Sequence, residues 1–310
     1  MPKFEVHRST VIKASPEKVF EAVSDFGTWT TWSPWLCAEP TAEVTVTDDS
    51  SSVGSVYSWT GEVVGAGEIE HRTLKPGQLI LDEIRFQKPF KSVSDVSFEL
   101  EPSGEGTHLT WRMKGSLPFF LFWMRSMMET FIGMDYVRGL RMLKEWLETG
   151  QIRSQTHITG IVDAGPLRMA GVRKTCSMKD IGPSMQQACE EASQKFQAAG
   201  LPTDGQRISV YHSYDMKAQV VVYTTGLTIA DSQLPVPEGL SEWSLPACRA
   251  FGVEHIGSYE HLGNGWSAAH QHVRYRKLKQ KKIATFEIYK SDPATTPEEE
   301  LRTDIFLPLR

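Results

Sequence analysis

The stretch that most constrains the fold runs from Leu117 to Glu148. After Pro118 it holds no proline, and apolar residues recur at Phe120, Trp123, Met127, Phe131, Met134, Val137, Leu140, Leu143 and Leu147. Steps of three and four mark a long amphipathic helix, and Gly150 supplies its stop. Such a helix needs an apolar surface to cover, and the preceding residues offer one. Glu43–Thr47, Ser55–Thr60, Gly67–Thr73, Leu79–Phe86, Val93–Leu100 and Thr107–Lys114 each read as a strand. Turn signals separate them at Asp48-Asp49, Gly61, Lys75-Pro76-Gly77, Lys88-Pro89 and Ser103-Gly104. The short spacing implies an antiparallel meander. In its last two strands Val96, Phe98, Leu100 and Leu109, Trp111, Met113 line single faces, so the sheet has one apolar side.

The start of the chain completes the pattern. Phe4 to Ala14 reads as a strand, and Ser15-Pro16-Glu17 opens a helix with Ser15 as N-cap and Pro16 in its first turn. Trp29, Trp32 and Trp35 then fit a short helix capping something apolar. The residues Ser15 to Phe20, Trp29 through Trp35, and Gly133-Met134-Asp135 through Gly139 to Lys144 resemble the SRPBCC superfamily, in particular its polyketide-cyclase-like (START-like) branch. The resemblance covers residues 3–148 and implies an α+β helix-grip fold: an antiparallel sheet curled around a long C-terminal helix, with an apolar cavity between them. Trp59, Glu83, Trp111 and Trp123 are the candidates to line that cavity. The superfamily includes binders, cyclases and hydrolase activators. Cyclase or dehydratase-like chemistry on a polyketide-like substrate is therefore one alternative, although no acid–base pair in residues 1–148 stands out.

At 310 residues two domains are expected. A net charge of -5 disfavours non-specific binding to nucleic acid. Met1-Pro2-Lys3-Phe4-Glu5 lacks the apolar core of a signal peptide, and the run Leu117 to Met124 is too short to span a bilayer. A cytoplasmic protein without membrane insertion is expected. Cys37, Cys176, Cys189 and Cys248 form no CxxC pair, so they read as buried thiols. His270 and His272, two apart on a helix, point to different sides. Neither a metal site nor a cofactor is expected, and no glycine-rich phosphate loop or Ser-His-Asp order is present.

Gln151 to Thr159 reads as a polar connection, which sets the expected domains at 1–150 and 157–310. The second half carries a weak internal repeat. Leu167–Thr175 is strand-like, a helix runs from about Gly182 to Ala199, and Ile208–Tyr214 and Ala218–Gly226 are strands. The cycle recurs as strand Pro246–Ile256, a helix capped by Ser258, and strands Ile283–Tyr289 and Asp304–Pro308. The order β-α-β-β, twice, implies a pseudo-two-fold domain with a cleft where the halves meet. In Ile283–Tyr289, Glu287 shares a face with Ile283, Thr285 and Tyr289. If that face is buried, its charge must be paired, protonated or waiting for a ligand; if it is wet, Glu287 is an ordinary strand residue.

The run Gly257 to Leu262, Trp266, Phe286-Glu287-Ile288-Tyr289, Asp292-Pro293 and Glu300 to Pro308 is similar to the GyrI-like small-molecule-binding domain, the effector-binding domain of bacterial multidrug-responsive regulators. The resemblance implies that Glu287 lies in an aromatic-lined cleft that meets bulky hydrophobic or cationic ligands. Tyr211, Tyr223, Trp243, Phe251, Trp266 and Tyr289 are the aromatic candidates, with Tyr223 and Tyr289 favoured as lying on corresponding strands of the two repeats. Rings around a desolvated carboxylate attract an organic cation through charge and cation–π interaction. The partner expected is thus a hydrophobic or cationic small molecule. Some stand-alone relatives hydrolyse strained cyclopropane-type electrophiles, and in such a detoxifying hydrolase Glu287, with Tyr289 or Tyr223, is the catalytic candidate. Regulators carrying this domain usually join it to a helix-turn-helix. Nothing here resembles one, so a nucleic-acid partner is not expected, and the oligomeric state is left open.

Overall fold

The computed structural model describes residues 3–117, 119–229, 236 and 238–310, with the backbone alone for 119–121. The side chain of Phe120 therefore lies outside the described residues. The chain divides into two compact units, Met1–Arg153 and Ser154–Arg310.

In the first unit, strands β1 (Lys3–Ile12), β2 (Glu43–Val46), β3 (Val56–Thr60), β4 (Ala66–Lys75), β5 (Leu79–Lys88), β6 (Ser92–Ser103) and β7 (Gly106–Ser116) form one antiparallel sheet in the order β1-β7-β6-β5-β4-β3-β2. Helix α1 (Pro16–Ser24) starts as its sequence dictates, with Ser15 Oγ accepting from the amide of Lys18. Helix α2 (Trp29–Trp32) buries both of its tryptophans. Helix α3 (Arg125–Thr149) follows a 3-10 turn at Phe119–Met124 and ends at Gly150, whose φ of 85° is the left-handed stop that glycine adopts freely. It lies against β1 and closes the helix grip.

The stripe read along this helix needs correction. Leu140, Leu143 and Leu147 are buried, but Trp123, Met127, Phe131 and Met134 are exposed, Trp123 by 67%. The core-facing residues of the first half are instead Met128, Ile132 and Tyr136. The steps of three from Phe131 to Leu143 each rotate the stripe backward by about 60°. The spacing thus joined an outward apolar face in the first half to the inward face of the second.

The second unit has strands β8 (Gln155–Ala164), β9 (Leu167–Ser177), β10 (Arg207–Asp215), β11 (Val220–Thr228), β12 (Ser241–Leu245), β13 (Cys248–Ile256), β14 (Thr285–Tyr289) and β15 (Arg302–Pro308), with helices α4 (Ile181–Ala198) and α5 (Leu262–Tyr275). The sheet order is β12-β9-β11-β10-β14-β15-β13-β8. Each half is therefore β-β-α-β-β, one strand longer than the sequence repeat, and the halves meet at β10 and β14. The opening strand of each half pairs with the second strand of the other: β8 with β13, β12 with β9. β8 replaces most of the expected polar connection. Its residues alternate between exposed and half-buried because it is an edge strand. Helix α4 covers β9 and β11, and α5 covers β13, β15 and β8. The two central strands lie beneath the gap between the helices.

Candidate functional site

The central strands pair Arg207 with Tyr289, Ser209 with Glu287 and Tyr211 with Thr285. Alternation then puts Ser209, Tyr211, Glu287 and Tyr289 on the helix-facing side, and Ile208, Val210, Phe286 and Ile288 in the core of the other side. Glu287 is fully buried, with 0% exposure. Its Oε1 accepts from the Tyr211 hydroxyl at 2.7 Å and from the Tyr289 hydroxyl. Its Oε2 accepts from the Trp266 indole N–H of α5 at 2.9 Å. All three donors are neutral, and no ion pair among the described residues includes Glu287. Burial pushes its carboxyl above the ordinary value; the hydrogen bonds from Tyr289, Tyr211 and Trp266 pull against that without reversing it. The Tyr211 and Tyr289 hydroxyls are pushed well up, first by burial and then by the Glu287 charge.

More rings surround this group. Tyr211 meets Trp266 edge-on at 5.0 Å and stacks on Tyr214 at 5.6 Å, while Tyr259 meets Tyr289 edge-on at 5.7 Å. Tyr214 and Tyr259 are each 38% exposed, so the aromatic cluster reaches solvent although the carboxylate does not. Neither was singled out in the sequence. Strict alternation puts Tyr214 on the face opposite Tyr211, but the register of β10 against β11 shifts between Tyr211 and Ser213, and this bulge turns Tyr214 to the same side.

A line of hydroxyls also leaves the carboxylate. Tyr289 lies 3.1 Å from Ser209 Oγ, Ser209 Oγ donates to Thr225 Oγ1 at 2.8 Å, and Thr225 Oγ1 lies 3.2 Å from Cys189 Sγ on α4. Burial pushes the Cys189 thiol up. Cys189 is half-buried, so the line runs from the enclosed acid toward the outer side of the helix.

Of the aromatic candidates, Tyr211, Tyr289 and Trp266 touch Glu287. Tyr223 sits opposite Tyr211 on the same face, but its hydroxyl pairs with Ser184 Oγ at 2.6 Å. It also lies on the last strand of its half, whereas Tyr289 lies on the strand before the last, so the two positions do not correspond. Trp243 is on the opposite face, 5.6 Å from Phe286, because β12 sends it to the side of Met169. Phe251 packs under α5 with Val253, Ala269 and Val273 and stacks on His272 at 5.4 Å.

The cavity candidates of the first unit separate as well. Trp111 is buried in the core, Trp59 packs against that core with its ring 5.8 Å from Phe86, and Trp123 is exposed. Glu83 is on the outer face of the sheet. There it accepts from Arg85 at 2.7 Å and Arg72 at 2.8 Å in a charge ladder with Glu68 and Glu70. Alternation along β5 puts Ile80 and Asp82 inward and Glu83 outward, so Glu83 lines no cavity.

Residues 3–148 match the family described as polyketide cyclase / dehydrase and lipid transport, and residues 159–310 match the GyrI-like small molecule binding domain. The chain joins an N-terminal SRPBCC domain to a C-terminal GyrI-like domain. Both assignments support small-molecule binding. Among solved structures, protein CV1439 from Chromobacterium violaceum is 19% identical, with 47% of this chain and 98% of that chain covered at a TM-score of 0.37. Protein MLL2253 from Mesorhizobium loti is 20% identical over 48% and 99%, at 0.36. The EcmrR–DNA complex is 16% identical over 58% and 66%, at 0.42. No curated protein gives a significant match. Among the described residues no helix is long and apolar enough to cross a membrane, and no group of three or more His, Cys, Asp or Glu stands together as a metal site.

Proposed function

We propose that the C-terminal unit captures hydrophobic, preferentially cationic small molecules between α4 and α5, with Glu287 as the charge that selects them. The observation that carries this reading is a fully buried carboxylate held by three neutral donors and, among the described residues, no cation. A carboxylate offers about four acceptor positions, and the protein fills three. The uncompensated charge and the surrounding rings favour a ligand that brings a positive charge on an aromatic or apolar body.

A second reading, a hydrolase of strained electrophiles, draws support from the hydroxyl line. An acid that must give up and regain a proton while enclosed needs such a route, and hydroxyls can both donate and accept; Ser209 Oγ donates to Thr225 Oγ1 and lies 3.1 Å from the Tyr289 hydroxyl. Incubating the full-length protein with tetraphenylphosphonium and with a cyclopropane-bearing electrophile, followed by mass spectrometry, separates the two readings. Unchanged, stoichiometrically retained cation supports capture. A product heavier by one water supports the hydrolase. Retention of neither sinks both.

A further inference from the structure

The reading above leaves unused the most basic run of the chain. Arg274, Arg276, Lys277, Lys279, Lys281 and Lys282 stand within nine residues that hold no acid, in a protein whose net charge is -5. The run begins in the last turn of α5 and stops three residues short of β14. Lys281 is half-buried and the other five cations are exposed. Among the described residues none of the six forms an ion pair with a carboxylate.

The backbone holds these cations in a fixed ridge. The end of α5 is a Schellman turn: the Leu278 N–H donates to the Val273 carbonyl at 2.9 Å, the Lys277 N–H to that of Arg274 at 3.1 Å, and Leu278 and Val273 share one apolar cluster. Such a turn puts one residue in the left-handed region, where glycine is the usual occupant. Lys277 takes that place with a φ of 53°, so the chain keeps a cation where glycine would sit without strain. Beyond it, Gln280 bridges Leu309, the Lys281 N–H donates to the Pro308 carbonyl at 2.9 Å, and the Arg310 N–H to that of Lys279 at 2.8 Å. This register sets Lys279 across from Arg310, and like charges facing each other in an antiparallel pair destabilise it. The negative end of the α5 dipole favours Arg274, Arg276 and Lys277, and Arg276 also lies over the Phe251 ring at 5.8 Å. That effect fades within the last turn of a helix, so it gives no reason for Lys279, Lys281 and Lys282.

We propose that this ridge docks the protein on an anionic lipid surface. A bilayer rich in acidic head groups is a diffuse sheet of negative charge that draws a polybasic segment without needing a pocket. Tyr275, 37% exposed between Arg274 and Arg276, is an amphipathic ring of the kind that settles at head-group level. A nucleic acid fits less well: helix N-termini grip ordered phosphates, and α5 presents its C-terminal end here. The ridge also neighbours the aromatic cluster. Thr285 follows Lys282 by three residues, a span of at most ~11 Å, and pairs with Tyr211. Because β10 runs antiparallel to β14, Tyr214 lies toward the Lys282 end. Docking thus holds the solvent-reaching end of the cluster near the bilayer, where hydrophobic cations gather. The docking itself does not depend on what Glu287 binds.

The test is co-sedimentation of the full-length protein with vesicles of equimolar phosphatidylglycerol and phosphatidylcholine, beside vesicles of phosphatidylcholine alone. Each cation near an acidic surface contributes about fivefold in partitioning. Lys279→Gln, Lys281→Gln and Lys282→Gln together, which keep the backbone bonds of the ridge, are therefore expected to weaken binding to the acidic vesicles by about 100-fold. Thermal unfolding reports whether that variant is folded. A measurement that needs no variant accompanies it: wild-type binding is expected to fall steeply as salt is raised, because screening shortens the reach of the charges. A wild type that pellets with neither vesicle, or equally with both, overturns the proposal. So does binding that ignores salt, or a folded variant that pellets like the wild type. Retention on double-stranded DNA through the same three lysines, with no pelleting on vesicles, assigns the ridge to nucleic acid and overturns it as well.

Discussion

Replacing Glu287 by glutamine isolates the charge from the cage around it. The amide oxygen that Glu287→Gln introduces can still accept from Tyr211 and Tyr289, which both bond the same oxygen in the wild type. The amide nitrogen meets the Trp266 N–H donor to donor, at a cost of about 1–3 kcal/mol in stability, but the ring cluster remains. A cation about 4–5 Å from the carboxylate gains about 3–4 kcal/mol at an effective dielectric constant of about 20. Removing the charge should therefore weaken cation binding by about 150- to 700-fold. A neutral molecule of the same shape should lose less than about threefold, because its contacts are with rings that Glu287→Gln leaves in place. Isothermal titration of wild type and variant with tetraphenylphosphonium and with neutral triphenylphosphine oxide checks this. Equal losses for both probes would mean that the substitution disturbs the cage and that the charge selects nothing.

Three further outcomes follow from the same geometry. Because the folded pKa of Glu287 is raised, the unfolded chain ionises first as the pH climbs through about 4.3. Wild-type stability should then fall with rising pH relative to Glu287→Gln until the folded group also ionises, which paired thermal melts across pH will show. Tyr289→Phe removes one donor to the buried acid and the first link toward Ser209. It should cost about 1–3 kcal/mol in denaturant unfolding and raise the Glu287 pKa further, visible as a protonated-carboxyl infrared band persisting to higher pH. Ser15→Ala deletes the N-cap of α1 and should cost about 1 kcal/mol by the same unfolding assay without touching ligand binding.

Local chemistry made much of the fold legible. The N-cap at Ser15, the stop at Gly150 and the meander strands are written in nearby residues, and all lie where that chemistry puts them. The failures share a cause: they depend on which partner a face meets. Trp123, Met127, Phe131 and Met134 are apolar at helical spacing, yet the face that meets the sheet is a different one. Gln155 to Thr159 is polar because β8 is an edge strand, and pairing with β13 is what makes it a strand. Within the GyrI-like unit, Tyr211 and Trp266 could be chosen as aromatics on the right elements. Ser209, Thr225 and Cys189 had no sequence signal, since each is an ordinary small polar residue until register aligns them. The buried pair His71 and Asp82, whose side chains lie 2.6 Å apart in the first unit, escaped notice for the same reason: they stand on neighbouring strands whose pairing carries a register shift between His71 and Thr73, and a count along the chain does not bring them face to face.

The exchange of opening strands explains how a duplicated domain tolerates an acid in its middle. β10 and β14 meet at the pseudo-two-fold, so Glu287 lies where the two halves join and faces Ser209 directly across the join. An enclosed charge there weakens the seam by the cost of its desolvation. The outer strands resist that opening, because β8 belongs to the first half yet pairs with β13 of the second, and β12 belongs to the second yet pairs with β9 of the first. Separating the halves would require breaking both of these ladders together with the central one. The symmetry is also broken at the centre, since β10 offers Ser209 opposite the acid and no second carboxylate faces it. One acid and one hydroxyl across the axis give the site a negative pole and a donor–acceptor partner. Two acids there would repel each other across the seam, and two hydroxyls would leave the join without a charge.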